Sequence, residues 1–232
     1  MPRTTGLLPH VPQECDESFA AYVAHELRTP LATQRALLEV TLGDPAAGAV
    51  AWRAVAENVL EACKHQEQLL EACLTLARSR NGLRRPETVD LGSIAATLVP
   101  AHDLRGLKLR SGLASARASG DPVLIERLLD NLLANAVRHN RPDGFVEITT
   151  RRSGTKALLA VANSGPRIRA DELARLLEPF QQHGGPDRRP GGLGLGLSVA
   201  KAVATAHNAT LTALARRTGG LRIEVAFPAA TG

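Results

Sequence analysis

The sequence predicts a two-part chain: an α-helical hairpin that becomes a four-helix bundle on dimerisation, followed by an α+β domain. Three observations carry this. Apolar residues recur at helical spacing from Phe19 to Leu76. That spacing stops at the basic, Pro-containing stretch Arg84-Arg85-Pro86. Beyond it, strand-like runs alternate with helical ones as far as residue 227.

Composition narrows the classes. At 232 residues the chain holds one large or two small domains, and with 44% hydrophobic but only 3% aromatic residues its core is aliphatic. The net charge is +5 and the pI about 9.6. The basic excess is spread in pairs such as Arg151-Arg152 and Arg216-Arg217, with no basic run interleaved with aromatics. This is a solvated surface suited to an acidic partner, and no nucleic-acid footprint. Cys15, Cys63 and Cys73 are odd in number and form no CxxC. A disulfide framework and a zinc site are therefore not expected; buried free thiols at Cys63 and Cys73 in a reducing compartment are. No apolar run reaches the ~20 residues of a membrane span. Pro2, Pro9 and Pro12 break up any signal peptide. The expected location is the cytoplasm, for this chain alone or as the cytoplasmic part of a larger membrane protein.

Taken in order, residues 1–15 are Pro-rich and aperiodic, a disordered lead-in. Asp16 or Ser18 caps a helix to about Leu42, with Phe19, Val23, Leu27, Leu31 and Leu38 on one stripe and a kink expected at Pro30. Gly43-Asp44-Pro45 and Gly48 make a turn. A second helix over 49–80 repeats Trp52, Val55, Val59, Ala62, Leu69, Cys73 and Leu76 at spacings typical of a seam, with Trp52 as a packing anchor. The hairpin of residues 16–80 is too small to bury both stripes by itself, so a homodimer is expected. Asn81-Gly82 opens a linker over 81–89, and residues 90–228 form the second domain. Within it, helix is expected over 91–101, strand at Leu107–Arg110, and helix from Asp121-Pro122 to about His139, because Asp suits the N-cap and Pro the first turn. Strands follow near 145–151 and 157–162, then a short helix over 170–177 and a mobile Gly-, Pro- and Arg-rich loop over 181–192. Leu195–His207 is helix, and 209–215 and 221–227 are closing strands.

Three stretches carry chemistry. His25 is adjacent to Glu26 and one helical turn from Thr29. By themselves these are solvated helix residues. As a functional set, the carboxylate takes the proton from one ring nitrogen and leaves the other nucleophilic. Asn131 and Asn135 also lie one turn apart, on an otherwise apolar helix. They are either satisfied surface amides or oxygen donors for a hard cation such as Mg²⁺. Gly192-Leu193-Gly194-Leu195-Gly196-Leu197 opens a helix whose N-terminus favours anions, but it is neither a Walker A loop nor a dinucleotide fingerprint.

The order of these stretches is more specific than any one of them. His25-Glu26-Leu27-Arg28-Thr29-Pro30-Leu31 resembles the H-box of sensor histidine kinases. Asn131 to Asn135 resembles their N-box, and Val161-Ala162-Asn163-Ser164-Gly165-Pro166 their first glycine box. Leu177-Glu178-Pro179-Phe180 resembles the F-box, and Gly192 to Leu197 the second glycine box. The resemblance covers about residues 16–228. It implies a dimerisation and histidine-phosphotransfer domain followed by a Bergerat-fold ATP-binding domain. ATP and Mg²⁺ are then the cofactors, and a homodimer and a response-regulator receiver domain the partners. His25 becomes the phosphoacceptor and Glu26 its acid/base partner. Thr29 takes the position that helps water dephosphorylate the regulator. Asn135 holds Mg²⁺, with Asn131 beside it. Arg138 and His139 line the phosphate and adenine side. Asn163 and Gly165 meet the base, Arg188 or Arg189 the γ-phosphate, and Gly192, Gly194, Leu195 and Gly196 the phosphates.

Two positions depart from the family. Asn163 stands where an Asp usually accepts the adenine amino group, and Arg167 where a second glycine is usual. An amide oxygen accepts the same hydrogen bond without charge. The expected activity is an ATP-dependent protein-histidine kinase that passes its phosphoryl group to a regulator aspartate, with regulator phosphatase activity in addition. The rival is a pseudokinase or phosphotransfer scaffold that binds a regulator without using ATP.

Overall fold

The computed structural model describes residues 14–80, 83, 86–169, 172, 173, 176 and 196–230. The chain divides into two compact units, Met1–Leu69 and Leu70–Gly232. This division falls inside the second helix, ahead of the expected linker.

The first unit holds α1 (Glu14–Gly43) and all but the end of α2 (Ala49–Arg80). Helix α1 starts at Glu14, inside the stretch expected as lead-in, and passes through Pro30. Asp44 closes the turn between the helices: its carboxylate accepts from the Ala46 N–H at 2.9 Å and its carbonyl from the Ala47 N–H at 3.0 Å. Gln34 crosses from α1 to α2, its amide donating to the Val59 carbonyl at 3.3 Å and to the Cys63 sulfur at 3.7 Å. Gln34, Val55 and Leu69 are buried, whereas Leu31, Val40, Leu42, Val50 and Leu60 are exposed by half or more. Trp52 is half-buried. Cys63 and Cys73 are half-buried too, not buried as expected. Helix α2 is amphipathic over a width that one partner helix does not cover, so those thiols stay at the margin. Burial raises the pKa of the Cys73 thiol against a lesser, opposing backbone hydrogen bond. Among the described residues no helix is long and apolar enough to cross a membrane.

In the second unit, β1 (Glu87–Asp90) leads into α3 (Leu91–Leu98) and a 3₁₀ turn, Val99–Ala101. Then come β2 (Lys108–Leu113), β3 (Arg117–Gly120), α4 (Pro122–Arg138), β4 (Phe145–Ser153), β5 (Lys156–Asn163), α5 (Gly196–Ala206), β6 (Thr210–Ala215) and β7 (Leu221–Pro228). Five strands form one mixed sheet in the order β2-β4-β5-β7-β6; β2 and β4 are parallel and the other neighbours antiparallel. Helices α4 and α5 pack together over it. Leu124, Ile125, Leu128, Leu129, Leu132, Leu133 and Ala136 of α4 are buried, as are Val199, Ala200 and Val203 of α5 and Ile223, Val225 and Phe227 of β7. This aliphatic core between helices and sheet fixes the helix face that carries the site.

A separate two-stranded sheet pairs β1 with β3, in register from Glu87↔Gly120 to Asp90↔Arg117. Neither strand was expected, and β1 takes the last residues of the supposed linker. Asp90 joins this sheet to α3. Its carboxylate accepts from the Gly92 N–H at 3.0 Å, the Ala116 N–H at 2.9 Å and the Ser115 hydroxyl at 2.8 Å. Burial works to raise its pKa, but these bonds and the Arg117 charge outweigh burial and hold it below the usual carboxylate value. The resulting stability is present above that usual value and is lost as pH falls through the lowered one.

His207, just past α5, ties that helix to the start of α4. The Asp121 N–H donates to His207 Nε2 at 3.0 Å, so Nδ1 carries the proton and donates to the Val203 carbonyl at 2.8 Å. Its ring stands edge-on to Phe227, with centroids 5.7 Å apart.

Candidate nucleotide site and phosphoacceptor helix

Helix α4 begins where capping chemistry places it. The Asp121 carboxylate accepts from the N–H groups of Val123 and Leu124 at 2.9 and 3.2 Å, and Pro122 fills the first turn. With the leucines turned to the core, Asn131 and Asn135 are half-buried, one turn apart. Their amides differ. Asn131 Nδ2 donates to the Arg127 carbonyl at 2.8 Å, back along its own helix. The Asn135 side chain makes no hydrogen bond among the described residues. A half-buried amide oxygen left uncommitted fits a hard cation that takes its other ligands from phosphate oxygens and water. No group of three or more His, Cys, Asp or Glu side chains able to hold a metal occurs among the described residues.

Helix α5 begins at Gly196, against an expected start at Leu195, and its first residue lies over Asn131: a Cβ there would sit 3.4 Å from Asn131 Oδ1. The N-terminus of α5 therefore adjoins the amide face of α4, an arrangement that favours anions. Arg138, in the last turn of α4, adds fixed positive charge. Partial desolvation of its guanidinium, and secondarily the nearby Arg105, lower its pKa without neutralising it. His102, at the start of the loop that carries Arg105, bonds to Asp130 on α4 at 2.9 Å.

The positions expected to meet the base lie at the close of β5. Asn163 is buried, and its Nδ2 donates to the carbonyls of Ser164 at 2.8 Å and His139 at 3.2 Å. Carbonyls only accept, so the amide orientation is fixed and Oδ1 is the atom left over. This oxygen accepts nothing among the described residues, and it is not one of the sealed, unpartnered side-chain atoms, Gln66 Nε2 and Arg216 Nε. It is an open acceptor. Gly165 follows because the chain leaves no room there: a Cβ would stand 2.5 Å from the His139 carbonyl oxygen. Arg167 is exposed.

An expected result follows for Asn163→Asp. The family's more usual residue would set carboxylate oxygen against two carbonyl oxygens. We expect a loss of at least about 2 kcal/mol of stability, from the unmet buried charge. The loss should be greater at pH 8 than at pH 5, since only the protonated acid can donate to a carbonyl. Thermal melts at the two pH values read this; equal stability of variant and parent at pH 8 would sink it.

The remaining expected positions fall unevenly. Helix α1 places residues 25 and 29 one turn apart, but the side chains of His25 and Glu26 lie outside the described residues. Thr29 is exposed, and its carbonyl accepts from the Thr33 hydroxyl at 3.1 Å. Arg188, Arg189, Gly192, Gly194 and Leu195, and the stretch 177–180, lie outside the described residues. Within 170–177, the bond from the Leu176 N–H to the Glu172 carbonyl at 3.2 Å is of helical type. Sequence reasoning missed Asn140 and the role of Ser164, which the structure joins by a 2.7 Å hydrogen bond. A polar residue after a helix end reads as a turn, so no local signal marks it.

Comparison with known proteins identifies the two parts of the chain. Residues 16–82 match the His Kinase A (phospho-acceptor) domain. Residues 120–231 match the histidine kinase-, DNA gyrase B- and HSP90-like ATPase family. The chain belongs to the sensor histidine kinases of two-component systems. It is 38% identical over 221 residues to the sensor protein CutS of Streptomyces coelicolor, covering 91% of this chain and 52% of that protein. The chain thus spans about half the length of such curated relatives. Among solved structures, the Acinetobacter baumannii histidine kinase AdeS matches with a TM-score of 0.69 and 23% identity, covering 89% of this chain and 98% of that one. The histidine kinase ThkA, solved with the response regulator TrrA, matches at a TM-score of 0.63 and 18% identity, covering 92% and 61%. At those identities the two structures speak to the fold: a helical region followed by an α/β ATPase domain.

Proposed function

We propose that the chain is the kinase part of a two-component sensor: it transfers the γ-phosphoryl group of ATP to His25 and then to an aspartate of a response regulator. One observation carries this. A phospho-acceptor match with His25 on its first helix precedes an ATPase-type site in which the residue one turn before Asn135 is Asn131, an amide that cannot act as a base toward water and is already bonded to its own helix. In the step itself a ring nitrogen of His25 forms the N–P bond, the bond from phosphorus to the ADP oxygen breaks, and Glu26 takes the proton from the other ring nitrogen. Asn163 Oδ1 receives the adenine amino group, and Arg138 and the start of α5 attract the phosphates. Asn135 offers its oxygen to Mg²⁺, which when bound offsets phosphate charge. Arg188 or Arg189 would meet the γ-phosphate, with Gly192, Gly194, Leu195 and Gly196 along the phosphate chain and His139 and Gly165 at the base.

Residues 16–80 serve as the dimerisation and phosphotransfer domain and 90–228 as the catalytic domain. The exposed Leu31, Val40, Leu42 and Leu60 support a homodimer, whose four-helix bundle would cover them. A folded monomer in sedimentation at micromolar concentration would count against it. Thr29, one turn from His25, positions a water for regulator dephosphorylation. Thr29→Ala should keep autophosphorylation and lose the phosphatase; parallel loss of both would make Thr29 structural. We place the reaction in the cytoplasm, where ATP is supplied.

The test of the whole reading is label chemistry. Protein incubated with γ-labelled ATP and Mg²⁺ should acquire a label that is lost in acid and stable in alkali, as a phosphoramidate is. Failure to bind ATP, with regulator binding intact, would instead establish the scaffold.

A further inference from the structure

We propose that Asn140 is a positioning residue for base recognition, acting through Ser164 on Asn163; this rests on the reading of Asn163 as the adenine acceptor. Asn140 follows α4 and is 8% exposed. Its amide uses every hydrogen-bonding capacity it has. Nδ2 donates to the Ala136 carbonyl of α4 and to the Phe145 carbonyl of β4, both at 3.0 Å. Oδ1 accepts from the Arg141 N–H at 3.0 Å and from the Ser164 hydroxyl at 2.7 Å. Four bonds exhaust an amide. One side chain thus ties the end of α4, the start of β4 and the segment after β5.

Ser164 is held from both sides. Its hydroxyl also accepts from the Phe145 N–H at 2.8 Å, and its own N–H donates to the Phe145 carbonyl at 3.1 Å. Its carbonyl is one of the two that fix Asn163 Nδ2. The contacts therefore run in a line from Asn140 to the Ser164 hydroxyl, through the Ser164 carbonyl, to the Asn163 amide whose Oδ1 is left open. The turn back to β4 closes on this pair: a Cβ at Gly144 would collide with both Asn140 Oδ1 and Ser164 Oγ. Buried networks without slack specify one geometry, and a single missing bond is felt at the next member. A turn that needed only a cap would not reach Ser164, because the Asn140 N–H already bonds to the Val137 carbonyl at 3.4 Å. The reach across 24 residues sets where the adenine acceptor stands.

The experiment compares ATP with inosine triphosphate, whose 6-oxo group cannot donate to Asn163 Oδ1. Dissociation constants are measured by calorimetry on the full chain. The parent should prefer ATP. In Ser164→Ala and Asn140→Ala the ATP-to-inosine-triphosphate preference should shrink about five- to tenfold, the worth of one well-placed hydrogen bond, with the phosphate-driven affinity for inosine triphosphate retained. Ser164→Thr keeps the hydroxyl and should restore the preference. A merely structural role would weaken both nucleotides alike. Folded Ser164→Ala with the parental preference overturns the proposal, and it decides the matter alone if Asn140→Ala does not fold. A parent that binds neither nucleotide would overturn the ATP reading itself, and this inference with it; that result comes before any variant is made.

Discussion

His25→Ala protein should bind ATP as the parent does and take up no phosphoryl group from it. Helix α1 carries position 25 one turn ahead of Thr29 and Pro30, and a proline there cannot donate to the carbonyl of Glu26. The expected loss is total, since His25, and not the His65 that also lies within the matched residues 16–82, stands in the H-box-like stretch. Water is the competing acceptor. Attack by water needs a base near the amide proposed to hold Mg²⁺, and one turn before Asn135 the chain has Asn131. An amide is no base at neutral pH, and this one spends its N–H on the Arg127 carbonyl. Steady-state hydrolysis should therefore be negligible in parent and variant alike. Label remaining on His25→Ala would refute the assignment of the acceptor. Brisk ATP turnover by that variant would mean that water is the natural acceptor and the protein an ATPase.

Asn135→Ala should lower autophosphorylation by at least about 100-fold, on the scale of removing a ground-laid electrostatic contact at the transferring group. Its fold should survive, because the side chain holds no hydrogen bond among the described residues. A melting temperature within about 2 °C of the parent is expected, and Mg²⁺-dependent ATP affinity should fall together with the rate. Asn131→Ala is the contrast: it removes a bond internal to α4 and adds nothing to hydrolysis. Normal labelling by Asn135→Ala would remove the metal role from this residue.

The long elements were legible because their signals are local. Asp121 and Pro122 announce α4 by capping chemistry, and the seam from Trp52 to Leu76 marks α2 through most of its length. Strands β1 and β3 were not legible. Each has four residues with no apolar alternation, and they exist by pairing across 27 to 33 residues and by the three bonds to Asp90. Strand β2 shows the converse: Leu107-Lys108-Leu109-Arg110 alternates as if half-buried, yet all six residues from Lys108 to Leu113 are exposed at the edge of the sheet. The site divides in the same way. The positions of Asn131, Asn135 and Asn163 could be read from boxes in order. Which amides are spent and which are open could not, because partners such as Arg127, His139 and Ser164 are set by folding. The link from Asn140 to Ser164 has no counterpart in periodicity at all.

Helix α4 also acts as a ruler. Asn131 and Asn135 stand about 6 Å apart along its axis, and the carbonyl of the C-capping His139 that orients Asn163 about 6 Å further on, each step turning by about 40° around the axis. On the proposed reading, base recognition and cation binding are thereby spaced in turns of one rigid rod. Substitutions along the exposed face leave that scale intact. Inserting or deleting a single residue between 131 and 139 turns one end against the other by about 100°, aiming Asn135 away from the nucleotide whose base is still held at Asn163. The rod tolerates a change of surface far better than a change of phase.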